Sequence, residues 1–182
     1  SDNSKRNVSI KAYKTANLTS FEWVLFKHEF EQLKNLDCDG LIKVYDIADH
    51  KGMPSVIYEF IEGTSLRELM DRGRIDLSRT LNIVLQLASS LGVLHSSEIM
   101  HRDIRPSNII ISGESATLID FGISVIFNRM IEKIYLPAVA GEILPFISPE
   151  MTGRINRTVD YRSDLYSLGL TMYEMLTGVN PL

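Results

Sequence analysis

Apolar and polar positions alternate at a period of two early in this chain and at a helical period later. Over residues 8–14, Val8, Ile10 and Ala12 fall on one side and Ser9, Lys11 and Tyr13 on the other, the pattern of a half-buried strand. Residues 21–36 read as a helix entered through Thr19-Ser20, with Glu22 in its first turn. Two more strands are predicted over 41–48 and 54–60, separated by a Lys51-Gly52 turn. Leu81, Val84, Leu85, Ala88, Leu91 and Leu94 then recur at helical spacing and predict a long buried helix. Leu165, Leu168, Met172 and Leu176 repeat that spacing in the last helix. Strands come first and helices later, so the expected class is α+β, a small β-rich part joined to a mainly helical one.

Composition narrows the function classes. With 182 residues, the chain has the length of one domain with a real core. Apolar residues make up 45% and charged residues 23%, ordinary values for a soluble globular protein. No apolar run approaches the roughly 20 residues needed to span a bilayer, and no signal peptide opens the chain. The single cysteine, Cys38, excludes an internal disulfide and fits a reducing, cytoplasmic setting. A net charge of −4 argues against nucleic acid as the main partner. Asp37-Cys38-Asp39 has no second Cys or His at ligand spacing and reads as a turn. Residues 1–7 are polar and read as a loop or frayed terminus.

The chemistry gathers around His101-Arg102-Asp103, Asn108 and Asp120-Phe121-Gly122. Asn108-Ile109-Ile110-Ile111-Ser112 and Ala116-Thr117-Leu118-Ile119 are short β-type runs joined by Gly113-Glu114-Ser115. Such a hairpin returns Asn108 and Asp120 to the same end. Asp103 is suited to hydrogen-bond a hydroxyl nucleophile, while Asn108 and Asp120 offer hard oxygen ligands to Mg²⁺ beside a triphosphate. The HxDxxxxN pattern alone also occurs in small-molecule phosphotransferases.

Other segments carry the distinction. Ser148-Pro149-Glu150 stands where protein kinases have A-P-E, Asp164-Leu165-Tyr166-Ser167-Leu168-Gly169 matches the opening of their F helix, and Val8-Ser9-Ile10-Lys11 matches V-A-I-K. From about residue 7 to its end the chain resembles a eukaryotic-type serine/threonine protein kinase domain. The resemblance implies a bilobal fold. Residues 1–60 would be a partial N-lobe with strands 3–5 and the C helix. Residues 61–182 would be a partial C-lobe with catalytic loop, activation segment and F helix, and Glu59-Phe60-Ile61-Glu62-Gly63 would be the hinge.

It also implies ATP and Mg²⁺ as cofactors and assigns roles. Lys11 would hold the α- and β-phosphates, with Ser9 on the same strand face above the adenine. Glu59 and Ile61 would offer backbone groups to the adenine edge, and Tyr58 would restrict the pocket behind it. Asp103 would orient the substrate hydroxyl and accept its proton late; Arg105 takes the place of a phosphate-contacting lysine. Asn108 and Asp120 would be the metal ligands. His101 would pack with Phe121, Leu33 and Val44, and His95 would be a core or helix-end residue. Either Glu29 or Glu31 could partner Lys11. Glu29 shares a helix face with Leu25, Leu33 and Leu36, whereas Glu31 sits with Lys27, Lys34 and Asn35, so helical phase selects Glu29.

The departures from the family pattern are equally specific. No Gly-rich loop precedes Lys11, and the large lobe's last helices, with the arginine that normally pairs with Glu150, are expected to be missing. Ile143 stands where serine/threonine kinases carry a threonine whose hydroxyl bridges the catalytic Asp and Lys. These features support a second reading, a catalytically weak or inactive pseudokinase serving as a regulatory or interaction module. Ser148 to Asp164 more narrowly resembles large bacterial and fungal signalling proteins in which a kinase domain precedes an AAA-type ATPase, a GAF domain and a sensor histidine kinase. The expected partners are a protein substrate, the other domains of such a parent and a second copy through truncated edges. Between Asp120 and Glu150, Tyr135 is the remaining hydroxyl once Ser124 and Ser148 are set aside, so no autophosphorylation switch is expected there.

Overall fold

The computed structural model describes residues 7–13, 19–50, 53–121, 144–152 and 157–180. The Lys51-Gly52 turn, Gly122, Ser124, Tyr135 and Ile143 lie outside them. The chain divides into two compact units, Ser1–Asp37 with Ile42–Glu62, and Cys38–Leu41 with Gly63–Leu182.

The first unit is a three-stranded antiparallel sheet with a helix. Strands β1 (Val8–Ala12), β2 (Val44–His50) and β3 (Met53–Glu59) lie in the order β1-β3-β2. Helix α1 (Ser20–Lys34) begins at the expected cap: the Glu22 N–H donates to Thr19 Oγ1 while the Thr19 N–H donates to Glu22 Oε2, a reciprocal capping box. It buries Phe26, Phe30 and Leu33. Phe26 meets Tyr13 edge-on at 5.8 Å and Phe30 meets Tyr58 at 6.3 Å, which places α1 against the sheet face that carries Tyr13 and Tyr58. Ser9 and Lys11 pair across from Tyr58 and Val56, so they lie on the same side of the sheet, with Lys11 part-buried and Ser9 exposed. Strand parity is therefore as read, and the side bearing Tyr13, not the apolar one, packs on α1. Val8 and Ile10, the apolar side of the alternation, are exposed (Ile10 by 64%), because α1 packs on the other face.

The second unit holds β4 (Thr64–Ser65), β5 (Ile109–Ser112) and β6 (Ser115–Leu118) as a second antiparallel sheet, with helices α2 (Leu66–Arg72), α3 (Leu77–Ser96) and α4 (Arg162–Thr177). The sequence reading missed α2, although Ser65 caps it through the Glu68 N–H, a short-range signal. In α3 the predicted buried set holds at its C-terminal end, at Leu91 and Leu94, and fails at its start. Leu85 is 69% exposed and Leu81 is also exposed, while Thr80, Ile83, Leu87, Leu91 and Leu94 are buried. The helix carries two apolar stripes, and the one beginning at Ile83 faces β6 and α4. By length and composition α3 could cross a membrane, with a mean hydropathy of 1.2. Its packing on β6 and α4 makes it a core helix here.

In α4, Leu165 and Leu176 are exposed and Leu168 and Met175 are buried. Much of the inward face is polar: Asp164, Ser167, Thr171 and Glu174. Each has a partner, as burial of polar groups requires. Ser167 Oγ donates to the Phe146 carbonyl at 2.6 Å, Thr171 Oγ1 to the Ser167 carbonyl at 2.9 Å, and Arg67 grips Glu174 through two 2.8 Å hydrogen bonds.

Candidate active site

The β5–β6 hairpin closes through Gly113 and Glu114, with Ser112 opposite Ser115. Gly113 has φ +60, a conformation a two-residue hairpin turn needs and glycine adopts without strain. At the open end the Ile119 N–H donates to the Asn108 carbonyl at 2.9 Å, so residues 108 and 120 come back to one end as read. Asp120 itself sits at φ +61. A 3-10 turn over Pro106–Asn108, in which the Asn108 N–H donates to the Arg105 carbonyl, folds Asn108 back toward Asp103. Asn108 Nδ2 donates to Asp103 Oδ2 at 2.7 Å and to the Asp103 carbonyl at 2.9 Å. Arg105 Nε lies 3.0 Å from Asp103 Oδ1. Both carboxylate oxygens thus have a partner, and Asp103, Arg105 and Asn108 form one cluster. With its nitrogen committed to Asp103, the Asn108 amide turns its oxygen the other way.

What holds this loop is Asp164, a residue the motif reading named but gave no role. Its carboxylate is buried. Oδ2 accepts from the His101 N–H at 2.9 Å and from His95 Nε2 at 2.9 Å, and Oδ1 accepts from the Arg102 N–H at 2.8 Å. Arg102 stands at φ +65, a strained position that these bonds fix. The available signal was its place at the head of the Asp164-Leu165-Tyr166-Ser167-Leu168-Gly169 motif; once buried, an unpaired charge there would be costly. His95 is a helix-end residue, as expected. His101 is fully buried, its Nε2 donating to the Ile119 carbonyl at 3.1 Å and its Nδ1 accepting from the Asp103 N–H at 3.3 Å. Burial pushes its pKa down, against the pull of Asp164, Asp103, the Ile119 carbonyl and Asp120, so the ring is neutral. It packs on Phe121 at 4.8 Å.

Lys11, Ser9, Glu29, Glu59 and Ile61 belong to the first unit. Glu29 is half-buried on the side of α1 that carries Phe26 and Phe30, and Glu31 is exposed. Tyr58 is buried, its hydroxyl 3.3 Å from that of Tyr13. Glu59 ends β3 with its Oε1 accepting from the Lys43 N–H at 2.7 Å and its own N–H donating to the Lys43 carbonyl at 2.9 Å. Ile61 follows in irregular backbone. In the Ser148-Pro149-Glu150 segment, Ser163 Oγ donates to Glu150 Oε1 at 2.7 Å, which holds that carboxyl below its ordinary range.

Residues 1–182 match the protein kinase domain family. The chain belongs to that family. The kinase domain is 34% identical over 165 residues to the serine/threonine-protein kinase pkn2 of Myxococcus xanthus, covering 86% of this chain and 19% of that protein. It is 31% identical over 184 residues to serine/threonine-protein kinase PknB of Mycolicibacterium smegmatis, covering 97% of this chain and 29% of that one. The kinase domain therefore spans between about a fifth and a third of the curated relatives it matches. In three dimensions it resembles the crystal structure of the Mycobacterium tuberculosis PknI kinase domain, with a TM-score of 0.76 at 23% identity over 96% of this chain and 64% of that one. The fold is accordingly that of a kinase domain, with a β-sheet lobe and a helical lobe.

Proposed function

We propose that this chain is the serine/threonine kinase domain of a larger protein and transfers the γ-phosphoryl group of ATP to a protein hydroxyl. The observation that carries the reading is the Asp103 carboxylate, hydrogen-bonded by Asn108 Nδ2 on one oxygen and in ion-pair contact with Arg105 Nε at the other. A carboxylate fixed in this way can still accept a hydrogen bond from a substrate hydroxyl, because each oxygen has a second lone pair. Positioning of that hydroxyl is what a loose phosphoryl-transfer transition state demands. Asp103 then takes its proton late, and Arg105 faces the charge that develops on the phosphoryl oxygens.

The donor set fits Mg²⁺. Asn108 presents an amide oxygen and Asp120 a carboxylate at the same end of the hairpin, both hard ligands. Among the described residues no group of three or more His, Cys, Asp or Glu forms a metal cage, so an ion here would depend on phosphate oxygens as well. Bound Mg²⁺ supplies neutralisation of phosphate charge. Lys11, with Glu29 as its partner, binds the α- and β-phosphates, and Ser9, Glu59 and Ile61 border the adenine.

The parent is a cytoplasmic signalling protein of the kinase, AAA-type ATPase, GAF and histidine kinase type, whose other domains regulate this one; the run from Ser148 to Asp164 supports that context. A regulatory pseudokinase is the second reading, favoured by Ile143. One experiment separates them. In the full-length protein, ATP should raise the melting temperature only when Mg²⁺ is present, Asp120→Asn should abolish that increment, and labelled phosphate should reach a protein substrate unless Asp103 is changed to Asn. Mg²⁺-dependent binding without transfer would leave the pseudokinase; equal shifts with and without Mg²⁺ would overturn the kinase reading.

A further inference from the structure

Tyr13 makes contacts of different kinds on three sides. Lys11 Nζ lies over its ring, 5.3 Å from the centroid. Its hydroxyl is 3.3 Å from the hydroxyl of Tyr58 on β3. Phe26 of α1 meets it edge-on at 5.8 Å and 83°. The ring is only 8% exposed and Tyr58 only 2%. Filling space alone would need no hydroxyl here, since a buried phenol must find a partner. This one finds a second buried phenol on the neighbouring strand, and the pair fixes the plane of the ring. A lysine head sits at the end of a flexible four-carbon stem, so the surface it lies over helps to set where it points.

We infer that Tyr13 is a positioning residue for Lys11. The π-face of the ring, immobilised through its hydroxyl and its contact with Phe26, holds the ammonium where nucleotide phosphate oxygens are to meet it. The inference rests on the reading of Lys11 as the phosphate-binding lysine and adds the residue that aims it. It also links parts of the first unit that the sequence reading kept separate: the strand lysine, the Tyr58 gate and the helix bearing Glu29 are joined through one side chain.

An acyl phosphate of ATP tests it in the full-length protein: an amine held beside the phosphates attacks the acyl carbon, the acyl–oxygen bond breaks to release ATP, the nitrogen gives up its proton to solvent, and the resulting amide is identified by mass spectrometry. Tyr13→Phe keeps the ring but loses its bond to Tyr58, so it should label Lys11 less than the parent does; it serves as the reference for the electronic series. Against it, phenylalanines of increasing fluorination at position 13 keep the shape but drain the negative face. Labelling of Lys11 should fall stepwise, by about fivefold for the fully fluorinated ring, and Tyr13→Leu should fall at least as far. If Tyr13→Leu does not fold, the fluorinated series alone decides. Labelling indifferent to fluorination would overturn the role of Tyr13 and leave the nucleotide site intact. Failure of ADP to protect Lys11 in the unaltered protein would overturn the nucleotide site and this inference together.

Discussion

Arg105 occupies a position where serine/threonine kinases normally have lysine, and its Nε sits 3.0 Å from Asp103 Oδ1. A planar guanidinium can keep that contact through one nitrogen while its other nitrogens reach toward phosphate oxygens, whereas an ammonium is a single point charge. We therefore expect Arg105→Lys to lower kcat of the full-length protein roughly tenfold, with KM for ATP changed less than about twofold, and Arg105→Met to cost about a hundredfold or more. Steady-state phosphoryl transfer checks this; a lysine variant as fast as the parent would show that charge alone matters. The cluster was legible because Asp103, Arg105 and Asn108 lie within one short loop. Asp164 and Tyr13 were not assigned roles, because their partners lie on other elements: His95, His101 and Arg102 for the first, Tyr58 and Phe26 for the second.

Among the elements, periodicity located the main helices and strands but not always their inward face. The capping box at Thr19 and Glu22 fixed the start of α1 within a residue, since a cap is a local interaction. The phase of α3 held at Leu91 and Leu94 but failed at Leu81 and Leu85, because its first turns carry two apolar stripes and only tertiary packing selects one. The inward face of α4 failed for another reason: it is lined by Asp164, Ser167, Thr171 and Glu174, whose burial depends on partners elsewhere in the unit. Two glycines show how sharply context separates similar substitutions. A Cβ at Gly63 would stand 2.6 Å from the Ile111 carbonyl oxygen and 2.6 Å from Ile110 Cγ2. Backbone cannot yield there as a flexible side chain could, so Gly63→Ala should cost about 1–3 kcal/mol. A Cβ at Gly92, inside α3, would meet nothing within 4 Å. Gly92→Ala should instead gain roughly 1 kcal/mol from helix propensity. Urea unfolding of the two variants gives opposite shifts in midpoint if these environments are as described; shifts of the same sign would contradict one of them.

For the whole molecule, the division into a sheet unit and a helical unit was readable from the order of strand and helix patterns. Its dependence on pH was not, because that follows from the burial of His101. Asp164, Asp103, the Ile119 carbonyl and Asp120 all favour a charged ring, yet desolvation outweighs them and depresses the pKa. In the unfolded chain the same imidazole titrates near its ordinary value of about 6.5. Between that value and the lower folded one, the unfolded chain binds a proton that the folded chain does not. The stabilisation is therefore full above about pH 6.5 and is lost as pH falls through this window toward the folded pKa. Glu150, whose carboxyl is lowered by Ser163, contributes in the same direction but in a separate step, below its ordinary value of 4.5. Unfolding free energy should thus decline as pH falls below about 6.5, before the carboxylates begin to matter. His101→Phe should flatten that first decline while leaving the more acidic one. Should the variant not fold, NMR titration of the His101 ring in the parent protein decides instead: its midpoint should lie below the ordinary value, and a midpoint at or above about 6.5 would show that its burial does not control acid stability.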